Sequence, residues 1–233
     1  MNTKPHRNAL PLRQQLKRLV ASREFIVSVS GLVFLVLEIH HRRFGLLPPT
    51  ESLFEWHIST VTCLFVAPVI VCVFLLDAGP KEFGLQNGDH RVALRYMGAY
   101  ALVVIPAIVL ASRLPSFQRY YPIYRPAAED VDKWLISVLS FGVYFFVWEF
   151  FFRGYLLFGL AKRFGPYAII IQTIPFTLVH LGKPEPEVFA AIVAGLALGL
   201  MAYHSRSMLP CFILHWFCGT LMDALVIFGP TGS

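Results

Sequence analysis

Four ionisable residues, Glu149, Arg153, His180 and His215, lie inside stretches of sequence otherwise apolar enough to cross a membrane. Carboxylates and imidazoles are the side chains that most often accept and return protons in catalysis. A guanidinium four residues after a carboxylate shares its helix face and can pair with it. Placing an Arg or Asp at the bilayer centre costs roughly 2.5–3.5 kcal/mol even on lenient insertion scales. Such residues face a bundle interior or a wet cavity, where they pair and act. The blander reading of Glu149 and Arg153 is a structural ion pair. For His180, at the end of an apolar run, it is an interfacial or core histidine. His215 lies well inside the last apolar run, where an interfacial role fits poorly.

The elements that must position these groups follow from hydropathy. A bilayer core takes about 20 mostly apolar residues per helix. On that ruler seven spans are predicted, at 25–40, 58–76, 96–112, 134–160, 165–181, 187–204 and 208–228. The fold class expected is therefore all-α, a polytopic transmembrane bundle of about seven helices. Pro175 removes a backbone donor five residues before His180 and can kink its helix. Ala191, Gly195 and Gly199 repeat a small residue every four positions, a spacing that lets a neighbouring backbone approach closely. Residues 81–91 read as turn chemistry followed by a helix start. The polar link from Ser112 to Lys133 carries aromatic and basic residues suited to a headgroup layer.

Composition narrows the function classes. The 233 residues are 56% hydrophobic and 15% charged, with mean hydropathy +0.61, against about 25% charged in soluble domains. The net charge of +6 does not point to nucleic acid, since no phosphate loop or basic-aromatic groove is present. It is explained by Lys4, Arg7, Arg13, Lys17, Arg18 and Arg23 before the first span, a signal for a cytoplasmic amino terminus. Seven spans would then leave the carboxyl terminus outside. Cys63, Cys72, Cys211 and Cys218 show no Cys-x-x-Cys spacing and read as small packing residues.

The combination of motifs resembles the CPBP family of membrane proteins (CAAX proteases and bacteriocin-processing enzymes, also called Abi). Its three motifs are Glu-Glu-x-x-x-Arg, Phe-x-x-x-His and His-x-x-x-Asn/Asp, on successive helices. Glu149 and Arg153, followed by Gly154, match the first. Phe176 and His180 match the second, and His215 supplies the histidine of the third. Trp148 stands where the family has its first Glu, and Gly219 where it has Asn or Asp. Asp223 lies a further turn along, about 12 Å from His215, a poor substitute for a group at 219.

The resemblance divides the chain into a basic cytoplasmic segment (1–24), an amino-terminal transmembrane half with interfacial loops (25–133) and a catalytic core (134–228). It implies an intramembrane endopeptidase acting on a membrane-anchored or lipidated protein or peptide. The setting expected is the plasma or inner membrane, with the lipid bilayer as the other partner. In this reading Glu149 and His180 activate water, His215 stabilises the oxyanion, and Arg153 holds Glu149. Bacteriocin maturation, self-immunity or trimming of a sorting tail are the tasks implied in a bacterium. A glutamate and two histidines could also hold a divalent metal such as zinc. No His-Glu-x-x-His motif is present, however, and the resemblance implies that no cofactor is needed. Trp148 and Gly219 keep a second reading open, a non-catalytic relative that binds peptides or partner membrane proteins. A third, an ion or proton relay, uses the same buried groups but lacks paired half-helices or an internal repeat.

Overall fold

In hydrocarbon the backbone has no water to bond, so runs of Val, Leu, Ile and Phe satisfy their amides within helices. The computed structural model describes residues 11–40 and 53–229, and every regular element in it is helical. Lys4 and Arg7 of the basic segment lie outside the described residues. Two helices open the chain, α1 (Leu12–Val20) and α2 (Arg23–His40), bent by 60° to each other. Then come α3 (His57–Leu75), α4 (His90–Ala111), α5 (Val131–Phe164), α6 (Tyr167–Leu178), α7 (Glu185–Ser205) and α8 (Leu209–Phe228). Among the described residues five helices are long and apolar enough to cross a membrane, or six if α1 and α2 count as one span. The all-α polytopic bundle expected from hydropathy is thus observed.

One expected span needs correcting. The run 165–181 forms only the 12-residue helix α6, too short for a full crossing by itself. Gly165 and Pro166 stop it at one end, and Pro175 lies three residues before the other. Beyond Leu178 the chain continues in turns through His180 to Lys183.

Local chemistry sets the other boundaries. Asp89 caps α4 by accepting from the amides of Arg91 and Val92, and Asp130 caps α5 through the Asp132 amide. Pro184 precedes α7, whose first turn carries Glu185 and Glu187, the sign that a helix amino terminus favours. Large apolar side chains on the outer surface, among them Phe74, Leu102, Val103 and Ile174, are exposed in the isolated chain. They form the face that lipid covers.

The small-residue stripe of α7 is a packing face. A Cβ added at Gly195 would lie 2.6 Å from Thr173 Cγ2, and one at Gly199 would lie 2.8 Å from Ile169 Cγ2. Through this contact Gln172 donates to the Gly195 carbonyl at 2.9 Å, which fixes α6 against α7. On the opposite flank, Trp216 of α8 donates to the Val138 carbonyl of α5 at 2.9 Å and lies over Gly142. A second buried acid, Glu38 of α2, accepts from Ser59 at 2.7 Å and Thr60 at 2.6 Å, tying α2 to α3.

At one end of the bundle Arg23 and Lys162 both reach Glu82. The Lys162 ammonium, and after it Arg23, hold the Glu82 carboxyl below its ordinary range. Tyr121, Lys183 and Glu187 meet at the other end.

The close approach at Gly195 generates a stability test. Gly195→Ala should lower the thermal midpoint in detergent, since overpacking a tight contact costs about 1–3 kcal/mol. Adding Thr173→Ser, which removes the obstructing methyl, should recover part of the loss. A single variant as stable as the parent would show that α6 and α7 can separate freely.

Candidate active site

The site is built from one unusual stretch of α5. After Glu149 the helix widens into a nine-residue π segment, Phe150–Phe158, with Arg153 inside it. Such segments are rare and often mark functional sites. Glu149 and Arg153 are both 0% exposed. Arg153 Nη1 donates to Glu149 Oε1 at 2.8 Å, and Nδ1 of His215 lies 2.6 Å from the same oxygen. Arg153 from α5 and His215 from α8 therefore converge on one Glu149 carboxylate oxygen. Glu149 Oε2 and Arg153 Nε and Nη2 have no hydrogen-bond partner. The guanidinium instead stacks on Phe176, with Cζ 4.1 Å from the ring centroid, a cation–π contact that gains strength away from water.

Phe176 organises the histidines. Its ring centroid is 4.7 Å from that of His180 and 6.0 Å from that of His215. His180 Nδ1 lies 2.7 Å from the Phe176 carbonyl, which fixes it as the donor and leaves Nε2 with a lone pair. The carboxylate of Glu149 likewise fixes Nδ1–H on His215.

Both histidines line a cavity of about 510 Å³. Tyr144, Phe145 and Trp148 form one wall, and Tyr121, Lys183, Glu187 and Asp223 also face it. Glu149 and Arg153 sit behind that wall. The sequence pairs Glu149 with His180; the geometry joins Glu149 to His215, while His180 bonds the Phe176 carbonyl. Tyr120 and Tyr121, expected at the headgroup layer, line the cavity too. Tyr121 donates to Glu187 at 2.8 Å, and Lys183 bonds the same carboxylate at 2.7 Å. No motif marked these residues.

The two departures from the family pattern have structural partners. Trp148 stacks on Phe152 with centroids 5.5 Å apart and packs against Tyr144 at 5.5 Å. A Cβ at Gly219 would meet Phe145 Cζ at 2.5 Å, and Phe145 in turn packs on His215 at 4.6 Å. An aromatic ring thus fills the place of the third motif's polar side chain.

A metal fits this set poorly. The carboxylate that would have to ligate a cation already carries the Arg153 guanidinium. No group of three His, Cys, Asp or Glu among the described residues is arranged to hold one. The four cysteines are free, and Cys218 faces the cavity.

Residues 130–221 match a family model described as type II CAAX prenyl endopeptidase Rce1-like. The match covers less than half of the 233-residue chain, and over it the sequence is similar to the CPBP/CAAX proteases. No curated protein and no solved structure matches the chain. The matched segment contains Glu149, Arg153, His180 and His215, and it runs from the start of α5 into α8.

Two expectations follow. Arg153→Leu should reduce folded yield more than His180→Ala, because breaking a buried ion pair costs about 3–5 kcal/mol. Equal yields by size-exclusion chromatography would contradict this. Gly219→Asn should also misfold through its clash with Phe145, and Phe145→Ala added to it should restore yield. Failure of the second change to help would place the obstruction elsewhere.

Proposed function

We propose that the protein is an intramembrane endopeptidase that hydrolyses a peptide bond of a membrane-anchored or lipidated protein or peptide. The observation carrying this reading is a histidine hydrogen-bonded to a buried, Arg-paired glutamate, in one cavity with a second histidine. His180, with Nδ1 committed to the Phe176 carbonyl, takes a proton from water through Nε2. The water oxygen attacks the scissile carbonyl carbon. His215 donates from Nε2 to the oxyanion that forms, while Glu149 against Nδ1 offsets the positive charge on its ring. Collapse breaks the C–N bond, and His180 returns its proton to the leaving amine. Arg153 and Phe176 keep Glu149 from turning away. In this scheme Glu149 positions His215 and does not itself meet the water.

The cation bias of the first residues supports a cytoplasmic amino terminus in a plasma or inner membrane. The cavity mouth, at the Tyr121–Lys183–Glu187 end, would then open toward the opposite face. Trp148 and the Phe145-filled site at Gly219 favour a second reading, a family member that binds membrane peptides without cutting them.

Mutation separates the two. In an enzyme, His180→Ala should lower processing of an anchored peptide about 10²–10⁴-fold with the protein still folded, and Glu149→Gln, which keeps an acceptor oxygen for Arg153, should lower it by removing the charge opposite His215. Trp148→Glu should slow a working enzyme by setting a second carboxylate beside the first, whereas in a binding protein it would create activity. Undiminished cleavage by Glu149→Gln, followed by mass spectrometry, would sink the mechanism.

A further inference from the structure

Asp223 lines the cavity two turns beyond His215 on α8. It is 7% exposed, and its Oδ1 has no hydrogen-bond partner. The other charged groups at this end of the cavity are matched. Lys183 is bonded to Glu187, which also accepts from the Tyr121 hydroxyl. A buried acceptor left without a partner is unfavourable, and a donor arriving with a ligand would relieve it. Phe117, Tyr120 and Ile123 on the same wall offer apolar surface along which the stem of a long basic side chain can lie.

Eight residues of α-helix rise about 12 Å. An extended peptide advances about 3.3 Å per residue, so this distance corresponds to three or four substrate residues. We propose that Asp223 is a specificity residue that binds the cationic side chain of a Lys or Arg three or four residues from the bond held at His180 and His215. The inference rests on the reading of the cavity as a peptide-cleaving site.

The test uses the full chain in lipid nanodiscs and bilayer-anchored fluorescent peptides. A parent peptide carries Met at every position within five residues of the bond, and each derivative carries one Lys. Anisotropy reads binding, and mass spectrometry reads cleavage. One Lys position should bind about 10–100-fold more tightly than Met, the scale of a charge-assisted hydrogen bond. Asp223→Asn should bring that ratio to about one, and Asp223→Glu should restore part of it. A Lys preference that survives Asp223→Asn, equal binding of all peptides, or no binding at all would overturn the inference. A preference dependent on Asp223 without cleavage would uphold it and remove the protease reading. Cleavage without such a preference would do the reverse.

Discussion

A carboxylate and a guanidinium without solvent are tolerable only while each holds the other, and much of the bundle serves that requirement. Glu149 and Arg153 are one helical turn apart and fully buried, yet their mutual bond does not exhaust either. His215 reaches in from α8 to share Oε1. Phe176 reaches in from α6 to cover the guanidinium. Separating α6 or α8 from α5 would strip a partner from a buried charge, so packing and electrostatics cannot be relaxed independently here. The seating of α6 against α7 through Gln172, Gly195 and Gly199 is therefore upstream of the site, although none of those residues bears on chemistry directly.

The same arrangement explains how an enzyme-like site persists without two of the family's polar groups. Trp148 and Phe145 do not leave holes where Glu and Asn or Asp would stand. They extend an aromatic layer that runs from Phe152 past Trp148 and Tyr144 to Phe145, and His215 is embedded in it. Position 219 carries no side chain because that layer already occupies the space. The two departures are structurally connected, since Phe145 and Trp148 lie on one helix and frame the same cavity.

Much of this was legible in the sequence because it rests on local spacing. The i, i+4 relation of Glu149 and Arg153 and the small-residue period of α7 follow from helical periodicity, and the bounds of α8 from hydropathy, whereas α4 and α5 run several residues beyond the expected spans. What could not be read depends on distant parts of the chain meeting. Whether Glu149 turns to His180 or His215 is decided by how three helices pack. Tyr121 and Glu187 are 66 residues apart, and no pattern announces their bond. Glu38 bonds Ser59 and Thr60 from another helix, a pairing that no local pattern gives. Asp223 lies too far along α8 to replace a group at 219, and that spacing gave no sign that it lines the cavity. The shortness of α6 was hidden for another reason: residues 179–181 are apolar enough to extend the run, although the backbone has already left the helix.

That short helix has a consequence for the surrounding lipid. Twelve residues span about 18 Å, whereas a typical hydrocarbon core is about 30 Å thick. Ile170, Ile174, Leu178 and Leu181 still point outward as an apolar wall. The acyl chains beside α6 must compress to match it, thinning the bilayer on one side of the protein alone. The polar boundary would there be drawn inward toward the level of His180. Membrane thickness, set by acyl length and sterol content, then becomes a variable that acts on the site from outside the polypeptide.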